Sequence, residues 1–535
     1  MEGARRPLVA YFCMEYGLHE ELHTYAGGLG VLAGDHLKAA REIGLPLVGV
    51  GLLWRQGYTT QLIGEGGRPY DTYPDFRYDF LEDTGVRLCL RIRDRQVAVK
   101  VWLVDRYGNA PLYLLDTDLP ENPFPDRAIT AQLYGGSAED RVAQEMVLGI
   151  GGVRALRRLG LNPTVYHFNE GHAVFAGIEL IREQMERGLS FEDAREAVRE
   201  QIVFTTHTPV SAGNEVHDHG LLRYMEAYHG LSYEQMRRIG GDPFGMTVAG
   251  LRLARLANGV SALHGRVARA MWSDVDQAAP IVHITNGVHP GTWQDPRIRA
   301  ARGQAGDLWE AHLECKRELL QEVEARTGLW LDPAVLTIGF ARRAAPYKRP
   351  DLIFRDPGRI VRLLESGRLQ LLFSGKAHPR DEAAKEIVAR LVDWARRFPG
   401  RVVFLQNYDM RLARVLTRGC DVWLNNPQRP LEASGTSGMK AAMNGVLNLS
   451  VLDGWWAEAC EHGVNGWQFG GGYVGEGQAD HDARALYDVL EREVIPTFYG
   501  DRDRWVRMMG ASIDMSARFT AHRMVEQYRQ LMYGL

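Results

Sequence analysis

The segment "CDVWLNNPQRPLEASGTSGMKAAMNGVLNLSV" (420–451) joins two apolar runs through a loop rich in glycine and serine and a short helical stretch. The runs "CDVWLNN" and "VLNLSV" have the length and composition of buried strands. Two neighbouring strands joined through a helix form a βαβ unit, in which the strands are parallel. The segment therefore predicts an α/β fold.

The same pattern extends in both directions from this segment. The runs "LTIGFA" (336–341), "LQLLFSG" (369–375) and "RVVFLQN" (401–407) precede it, and "TVYHFNE" (164–170) and "VFTTHTP" (203–209) belong to an N-terminal set. Helical patterns separate them, so we predict two Rossmann-like, doubly wound α/β domains that face a central cleft. Alternating polarity between about 58 and 116 predicts an antiparallel excursion.

We place the domain boundaries from these patterns. Residues 1–290 form the expected N-terminal domain, and residues 291–515 form the expected C-terminal domain. Residues 516–535 are expected to form an amphipathic helix that packs across the domains.

Composition excludes several classes of function. The formal net charge of −4 over 535 residues, with acids and bases interspersed, gives no field that attracts nucleic acid or a membrane surface. No stretch is long and apolar enough to span a bilayer. Five scattered cysteines fit reduced thiols, and Glu15 interrupts the first apolar run, which predicts a buried strand in place of a signal peptide. We expect a cytoplasmic protein.

The lysine content draws attention to Lys440. Only seven of the 63 basic residues are lysine, so arginine is the usual cation of this chain. A lysine in a glycine-rich loop can form an imine through its amine, which a guanidinium cannot do. A solvated lysine at the start of a helix is the alternative, and composition alone leaves it open.

Polar residues follow several of the predicted strands. Any one of them could be a satisfied turn residue, but parallel strands bring their carboxyl ends to one edge of the sheet. The residues are Asn169, Glu170, His207, Asn286, the cations Arg342, Arg343, Lys348 and Arg349, and the loop from Glu432 to Lys440.

Two of these segments predict anion sites. In the loop before Lys440, backbone amides from Thr436 to Met439 would lie at a helix N-terminus, which favours phosphate. The loop is not a nucleotide P-loop, because Met439 separates glycine from lysine and Ala441 follows it. A phosphate that carries an aldehyde, such as pyridoxal phosphate, fits better. The segment "ARRAAPYKR" (341–349) is the second predicted anion site.

Seven segments together give the chain a family resemblance. It resembles the α-glucan phosphorylases, the glycogen and maltodextrin phosphorylase family, and in particular their shorter bacterial and archaeal branch. The matching segments are "AGGLGVLAGDHLKAA" (26–40), "HFNEGHAVFAGIEL" (167–180), "TTHTP" (205–209), "TNGVHPGTW" (285–293), "GFARRAAPYKR" (339–349), "GKAHP" (375–379) and "EASGTSGMKAAMNG" (432–445).

The resemblance implies a GT-B type fold, pyridoxal 5'-phosphate as cofactor and roles for individual residues. Lys440 would carry the cofactor, with Thr436, Ser437, Gly438 and Arg342 near its phosphate. Arg343 and Lys348 would hold the substrate phosphate, and these two residues, Lys440 and His207 would be catalytic. The implied sugar-binding residues are Glu432, Ser434, Gly435, Tyr347, Asn286, His207, Gly27, Gly28 and Gly30.

The implied reaction is retaining phosphorolysis of an α-1,4-glucan to α-glucose 1-phosphate, with the cofactor phosphate relaying protons to inorganic phosphate. It requires neither a pair of catalytic carboxylates nor a metal. Accordingly we expect no metal site, and "HDH" (217–219) offers three adjacent residues that rarely converge on one ion. The expected partners are the glucan, phosphate and glucose 1-phosphate, and the oligomeric state stays open, a homo-oligomer included.

The sequence also departs from the family pattern. Where long-chain members have "GTGNMK", this chain has "GTSGMK", and Arg342 replaces a lysine. The long N-terminal extension of mammalian members is not seen, so the resemblance implies neither nucleotide control nor serine phosphorylation, and regulation stays open.

Two alternatives remain at this point. A nucleotide-sugar-dependent glucan synthase of GT-B fold would share the architecture but has no use for an imine lysine. A non-catalytic glucan-binding protein would leave many strand-end polar groups buried without a ligand, which is costly.

Overall fold

The computed structural model describes residues 7–210, 213–302 and 305–535. The chain divides into two compact units that are not contiguous in sequence. The first comprises 1–59, 73–285 and 521–535, and the second comprises 60–72 and 286–520. None of the helices in the described ranges combines the length and hydropathy needed to cross a bilayer.

The strands, numbered in chain order, are β1 Val9–Phe12, β2 Leu47–Leu52, β3 Thr60–Ile63, β4 Pro69–Thr72, β5 Glu82–Ile92, β6 Arg95–Val104, β7 Leu112–Asp116, β8 Val165–Asn169, β9 Ile202–Thr205, β10 Val216–His217, β11 Phe244–Gly245, β12 Leu256–Gly259, β13 Ile281–His283, β14 Leu336–Ala341, β15 Leu369–Ser374, β16 Val402–Leu405, β17 Val422–Asn425, β18 Leu447–Val451 and β19 Gly466–Phe469.

The α-helices are α1 Gly28–Glu42, α2 Phe124–Arg127, α3 Ala138–Met146, α4 Gly152–Arg158, α5 Phe175–Glu186, α6 Phe191–Arg199, α7 His219–Tyr224, α8 Tyr233–Gly240, α9 Met246–Leu253, α10 Ala262–Met271, α11 Pro290–Trp293, α12 Pro296–Ala301, α13 Ala305–Thr327, α14 Pro357–Glu365, α15 Glu382–Arg397, α16 Met410–Gly419, α17 Ser437–Ala442, α18 Trp456–Ala459, α19 Gln478–Val489, α20 Ile495–Gly500, α21 Arg502–Ser516 and α22 Ala521–Gln527.

The first unit is built on a nine-stranded sheet in the order β13-β12-β9-β8-β1-β2-β7-β6-β5. Strands β13 to β7 of this order pair in parallel, whereas β6 pairs antiparallel with both β7 and β5. The predicted antiparallel excursion is therefore confirmed. The strand order reverses between β1 and β8, and ligands of open α/β sheets bind outside the carboxyl ends of the strands at such a switch point.

The C-terminal segment packs into the core of the first unit through a buried polar network. The Tyr533 hydroxyl and His167 Nδ1 form a hydrogen bond of 2.7 Å. The other ring nitrogen, His167 Nε2, lies 2.7 Å from the Thr205 hydroxyl. The Asn258 side chain donates to the Tyr528 hydroxyl at 2.9 Å. Because buried polar groups are costly unless paired, this network fixes the segment after α22 against β8, β9 and β12.

The second unit contains a parallel six-stranded sheet in the order β16-β15-β14-β17-β18-β19. Counted from β14, this is the 3-2-1-4-5-6 order of the Rossmann fold, and its switch point lies between β14 and β17. All six residues of β14 are buried, as expected for a central strand with helices on both faces. The predicted doubly wound α/β class is confirmed in both units.

A buried ion pair joins the starts of β14 and β17. The Lys316 ammonium lies 2.6 Å from Asp421 Oδ2, which also accepts the Thr337 backbone N–H at 2.8 Å. The His312 ring lies 2.9 Å from the other carboxylate oxygen. Burial alone would raise the pKa of Asp421, but Lys316 and His312 lower it, so the group stays charged and holds the central strands in register.

The hairpin formed by β3 and β4 is an arm of the second unit, although it lies between segments of the first unit in sequence. Arg68 pairs with Glu382 and Glu386 of α15, and Lys385 of α15 lies 2.8 Å from Asp71. The Gln61 side chain exchanges two hydrogen bonds with the backbone of Ala377, at 2.8 and 3.0 Å.

Candidate active site

In the second unit, the predicted cation segment and the predicted lysine loop meet at the switch point. Arg342 directly follows β14, and Asn425 ends β17, the neighbouring strand. The Arg342 guanidinium donates to Asn425 Oδ1 at 3.3 Å and to Glu432 Oε2 at 2.5 Å. The strand order alone places these side chains together, because β14 and β17 are adjacent and parallel.

Glu432 lies between two of the predicted cations. Its carboxylate accepts from Arg342 and from the Lys348 ammonium, 3.2 Å away. Burial alone would raise the pKa of Glu432, but the charges and hydrogen bonds of Arg342 and Lys348 lower it to about 2. Glu432 is therefore a carboxylate at any working pH, and the three groups together carry one positive charge.

The other two cations of the segment behave differently. The Arg349 guanidinium is buried and binds the carbonyl oxygens of Asn426 and Pro427 and the carboxylate of Asp482. It therefore supports the loop after β17. Arg343 is exposed, on the side of the segment that solvent reaches.

Lys440 lies in α17 and is buried, with 6% of its surface exposed. Its ammonium lies 3.8 Å from the centre of the Trp293 ring. The Asn444 side chain donates to the carbonyl oxygens of Lys440 and Trp293 at 2.8 and 3.0 Å, so it ties the helix to the segment that carries this tryptophan. This burial excludes the alternative of a solvated lysine at the start of a helix.

The loop between Glu432 and α17 is held by close backbone contacts. Gly435 has a φ of +76°, which favours glycine. A Cβ at Gly438 would lie 2.5 Å from Asn448 Oδ1 and 3.0 Å from the Trp455 ring. The Trp423 indole donates to the Ser437 hydroxyl at 3.1 Å, and Thr436 takes the cap position of α17 without a side-chain cap bond.

Among the described residues, the buried side-chain atoms near this loop without a hydrogen-bond partner include Ser434 Oγ, Arg342 Nε and Asn448 Oδ1. The Ser434 carbonyl accepts from the Trp455 N–H at 2.9 Å, so the backbone of this residue is satisfied while its hydroxyl is not. Buried polar atoms of this kind usually have a partner in the protein, in water or in a ligand, so these atoms are available to a polar ligand.

Two further residues of the second unit were predicted to bind sugar, Tyr347 and Asn286. The Tyr347 ring lies 4.8 Å from the Lys348 ammonium, and its carbonyl accepts the Gln428 N–H at 2.7 Å. Asn286 is buried at the sequence boundary of the unit.

Asp453 belongs to this cluster, although sequence reasoning did not single it out. It follows β18 and accepts the Glu432 backbone N–H at 2.9 Å. Burial raises the pKa of Asp453 to about 7, and the nearby Glu432 charge adds to this effect. Its place as the first polar residue after a predicted strand was the available signal. Trp293 had a weaker signal, since an apolar residue in a loop is usually part of the core.

In the first unit, the carboxyl ends of β8 and β9 bring Asn169, Glu170 and His207 together. The His207 ring Nε2 lies 2.6 Å from Asn169 Oδ1. The backbone N–H of His207 donates to the Glu170 carboxylate at 3.2 Å. Burial raises the pKa of Glu170 to about 7, against the opposing hydrogen bonds. Burial also lowers the pKa of His207 to about 3, so this ring is neutral near pH 7.

The glycines predicted to bind sugar, Gly27, Gly28 and Gly30, lie at the start of α1, the helix that follows β1. The Glu15 carboxylate accepts the backbone N–H groups of Ala26 and Gly27 at 2.7 and 3.0 Å. A Cβ at Gly30 would lie 2.6 Å from the same carboxylate, so this position has no room for a side chain. A Cβ at Gly27 or Gly28 would meet no atom within 4 Å of it.

The two histidines of "HDH" lie in separate environments. His217 Nε2 lies 2.8 Å from Glu145, and these two residues and Glu215 have ligand atoms within 4.8 Å of one another. His219 instead contacts the Tyr228 hydroxyl. The Arg141 guanidinium lies 3.0 Å from Glu215, so positive charge is already present in this group.

Comparison with known proteins gives consistent results. Residues 300–471 match the model of a family described as carbohydrate phosphorylase. The chain is 41% identical to maltodextrin phosphorylase of Thermococcus litoralis, over 98% of this chain and 70% of that protein. It is 42% identical to glycogen phosphorylase of Mycobacterium bovis, with the same coverage. Glycogen phosphorylase of Aquifex aeolicus is 37% identical, over 99% of this chain and 86% of its own length.

These relatives are glycosyltransferases, and their family has the GT-B type of fold, with which the two doubly wound units are consistent. Identity at this level over nearly the whole chain, together with the lysine loop and the cation segment at one switch point, leads to one conclusion: this chain is an enzyme of the carbohydrate phosphorylase family.

Proposed function

We propose that this enzyme is an α-1,4-glucan phosphorylase that uses inorganic phosphate to release α-glucose 1-phosphate from maltodextrin or glycogen-type glucans, with retention of configuration. The observation that carries the proposal is the burial of Lys440. Its ammonium contacts the Trp293 ring, and it lies in α17, the helix that follows the loop with Glu432. A nucleotide-sugar synthase has no use for such a lysine.

The residues around Lys440 fit pyridoxal 5'-phosphate. Lys440 is buried, and a lysine amine can form an imine with the aldehyde of this cofactor. Ser434 Oγ and Arg342 Nε are buried polar atoms without a partner in the protein. We propose that Lys440 holds the cofactor aldehyde and that Thr436, Ser437, Gly438 and Arg342 hold its phosphate. When bound, the cofactor supplies a phosphate group that exchanges a proton with inorganic phosphate.

We assign the substrate phosphate to Arg343 and Lys348. Arg349 is used to support the loop after β17, and Arg342 and Lys348 share the charge of Glu432. Arg343 is the exposed cation of the segment, so it meets an incoming anion first. Fixed cations near a reacting phosphate stabilise the charge that develops in the transition state, and they do so without a metal ion.

For the sugar we propose two sets of residues, one in each unit. Glu432, Ser434, Gly435, Tyr347 and Asn286 belong to the second unit. His207, Gly27, Gly28 and Gly30 belong to the first unit. Since the His207 ring is neutral near pH 7, it can exchange hydrogen bonds with hydroxyl groups without adding charge.

The reaction itself tests the proposal. The purified enzyme, loaded with pyridoxal phosphate, is given maltodextrin and phosphate in the presence of a chelator, and glucose 1-phosphate is measured. We expect phosphate-dependent release, and in the reverse direction extension of a maltodextrin primer from glucose 1-phosphate. Parallel assays offer ADP-glucose and UDP-glucose as donors. Glucosyl transfer from either nucleotide sugar, without phosphorolysis, would support the synthase instead.

A further inference from the structure

A cavity of about 580 Å³ lies in the second unit, apart from the residues assigned above. Its walls come from β3, the ends of α13 and α15, and the strand β16 with the residues after it. They are mostly apolar, and include Leu62, Leu329, Val392, Ala395, Val403 and Leu405. Sites for small organic molecules have volumes of roughly 300–1,000 Å³ and largely apolar walls, so the cavity has the size and lining of such a site.

The cavity exists because the hairpin of β3 and β4 covers the edge strand β16 without forming backbone hydrogen bonds to it. β16 pairs only with β15, and β3 pairs with β4. Between hairpin and edge, the Ile63 N–H donates to the Gln406 side chain at 2.9 Å, in place of a backbone ladder. A side-chain contact keeps two backbones farther apart than a ladder does, and this leaves room for a ligand.

Positive charge lines the cavity without a carboxylate. Two arginines contribute, and none of the described residues that line it is acidic. The Arg326 Nε group already binds Glu322. The Arg396 guanidinium donates to the uncharged carbonyl of Glu65 at 2.7 Å and makes no ion pair with any residue in the described ranges. Among the described residues, Arg396 is therefore the exposed lining cation without a carboxylate partner, and an anionic group on a ligand can pair with it.

Asn407 adds a requirement for a hydrogen-bond donor on the ligand. This lining residue has a φ of +55°, and its Oδ1 atom is buried without a hydrogen-bond partner. Such an atom usually has a partner in the protein or in a ligand.

We propose that this cavity is a binding site for a small amphipathic anion, a molecule with an apolar body and one carboxylate, sulfonate or phosphate group. The apolar body contacts the walls from β3, α15 and β16. The anion pairs with Arg396, and a polar group of the ligand reaches Asn407. The proposal is independent of the glucan reaction, because it uses none of the residues assigned to cofactor, phosphate or sugar.

The test uses 8-anilinonaphthalene-1-sulfonate as the amphipathic anion and N-phenyl-1-naphthylamine, which lacks the sulfonate, as its neutral analogue. Binding to the cofactor-loaded, full-length enzyme is measured by titration calorimetry. We expect one saturable site for the sulfonate. Arg396→Gln should weaken sulfonate binding at least tenfold and leave binding of the neutral analogue within about twofold of wild type.

A neighbouring arginine gives the matched control. Arg397 lies over the Trp394 ring, outside the cavity, and Arg397→Gln removes the same charge from the same helix. It should leave sulfonate affinity unchanged. Ala395→Leu fills the cavity without changing charge, and should weaken the binding of both probes.

Arg396 also donates to the Glu65 carbonyl of the hairpin, so its replacement can lower stability. The melting temperatures of all variants are therefore compared. If Arg396→Gln does not fold, Ala395→Leu still tests the site. Three results would overturn the proposal: no saturable binding, equal loss of sulfonate affinity in both arginine variants, or full sulfonate affinity in Ala395→Leu.

Discussion

Lys440 is one of only seven lysines in the chain, and it is buried with its ammonium 3.8 Å from the centre of the Trp293 ring. We expect borohydride reduction and peptide mapping to place a pyridoxyl group on Lys440. Lys440→Arg keeps the positive charge but cannot form an imine, so it should lose the label and the near-ultraviolet absorbance of bound cofactor.

Lys385→Arg is the control for this experiment, because Lys385 pairs with Asp71 outside the loop. It should keep label and absorbance. A label recovered from another lysine of the cofactor-loaded enzyme would refute the assignment of Lys440.

Arg343 is the exposed cation of its segment, and its proposed ligand is phosphate. We expect Arg343→Ala to raise KM for phosphate by about 10- to 100-fold, the effect of losing one charge-assisted hydrogen bond of roughly 1.5–3 kcal/mol. KM for maltodextrin should change by less than about threefold. Arg355→Ala, which removes a surface ion pair with Asp480, should leave both constants unchanged. A selective loss of maltodextrin affinity would assign Arg343 to the glucan.

At this scale, sequence reasoning identifies residues whose chemistry is unusual for their position. A lysine among glycines and a group of cations after a strand are visible without a structure. The pairing of Glu432 with Arg342 and Lys348 is not, because it depends on which strands are neighbours. The same holds for Glu15, which appears in the sequence only as a charge that interrupts an apolar run.

Among the elements, the hairpin of β3 and β4 connects the cavity wall to the segment that carries the proposed phosphate-binding cations. Gln61 holds the backbone of Ala377, and Ala377 forms a bridge with Ala344, two residues after Arg342. Gln61→Ala would leave buried backbone groups of Ala377 unsatisfied, at a cost of about 1–3 kcal/mol.

We therefore expect Gln61→Ala to lower the free energy of unfolding by that amount and to raise KM for phosphate, measured by urea titration and by steady-state kinetics. Gln530→Ala serves as the control, since Gln530 is exposed and, among the described residues, its side chain bonds to Glu526 on the same helical surface. An unchanged KM for phosphate in Gln61→Ala would show that the hairpin does not position the cation segment.

The hairpin also shows where strand prediction from sequence stops. Alternating polarity correctly indicates strands between 58 and 116, and β5, β6 and β7 form the expected antiparallel arrangement. Alternation identifies the two faces of a strand but not its partner, because the partner depends on loop geometry and on packing. The pattern therefore does not show that β3 and β4 form a separate hairpin, or that this hairpin belongs to the second unit.

At the scale of the whole molecule, buried histidines make stability depend on pH. Burial lowers the pKa of His36 to about 3, and the ring lies 4.4 Å from that of Tyr11 and 3.3 Å from the Tyr533 hydroxyl. The unfolded chain binds a proton at this group near pH 6.5, whereas the folded chain does not. His36 therefore contributes stability above pH 6.5, and this contribution is lost as the pH falls from 6.5 towards 3.

We expect His36→Phe to reduce the loss of unfolding free energy between pH 7 and pH 5 by about 2 kcal/mol, since one pH unit corresponds to about 1.4 kcal/mol for one group. The measurement is urea unfolding of both proteins at the two pH values. Any loss of packing in the variant is the same at both values and cancels from the difference. An identical pH dependence of the two proteins would assign the acid sensitivity to other groups.

The placement of the hairpin has a practical consequence for anyone who builds chimeras from this family. The large segment of the second unit begins at residue 286, but a single exchange there would leave residues 60–72 with the wrong parent. The foreign arm would then bring its own partners for α15 and for the loop at Ala377. Recombinants should inherit residues 60–72 from the parent that supplies residues 286–520, and libraries that respect this linkage should yield more folded members than libraries cut at one point.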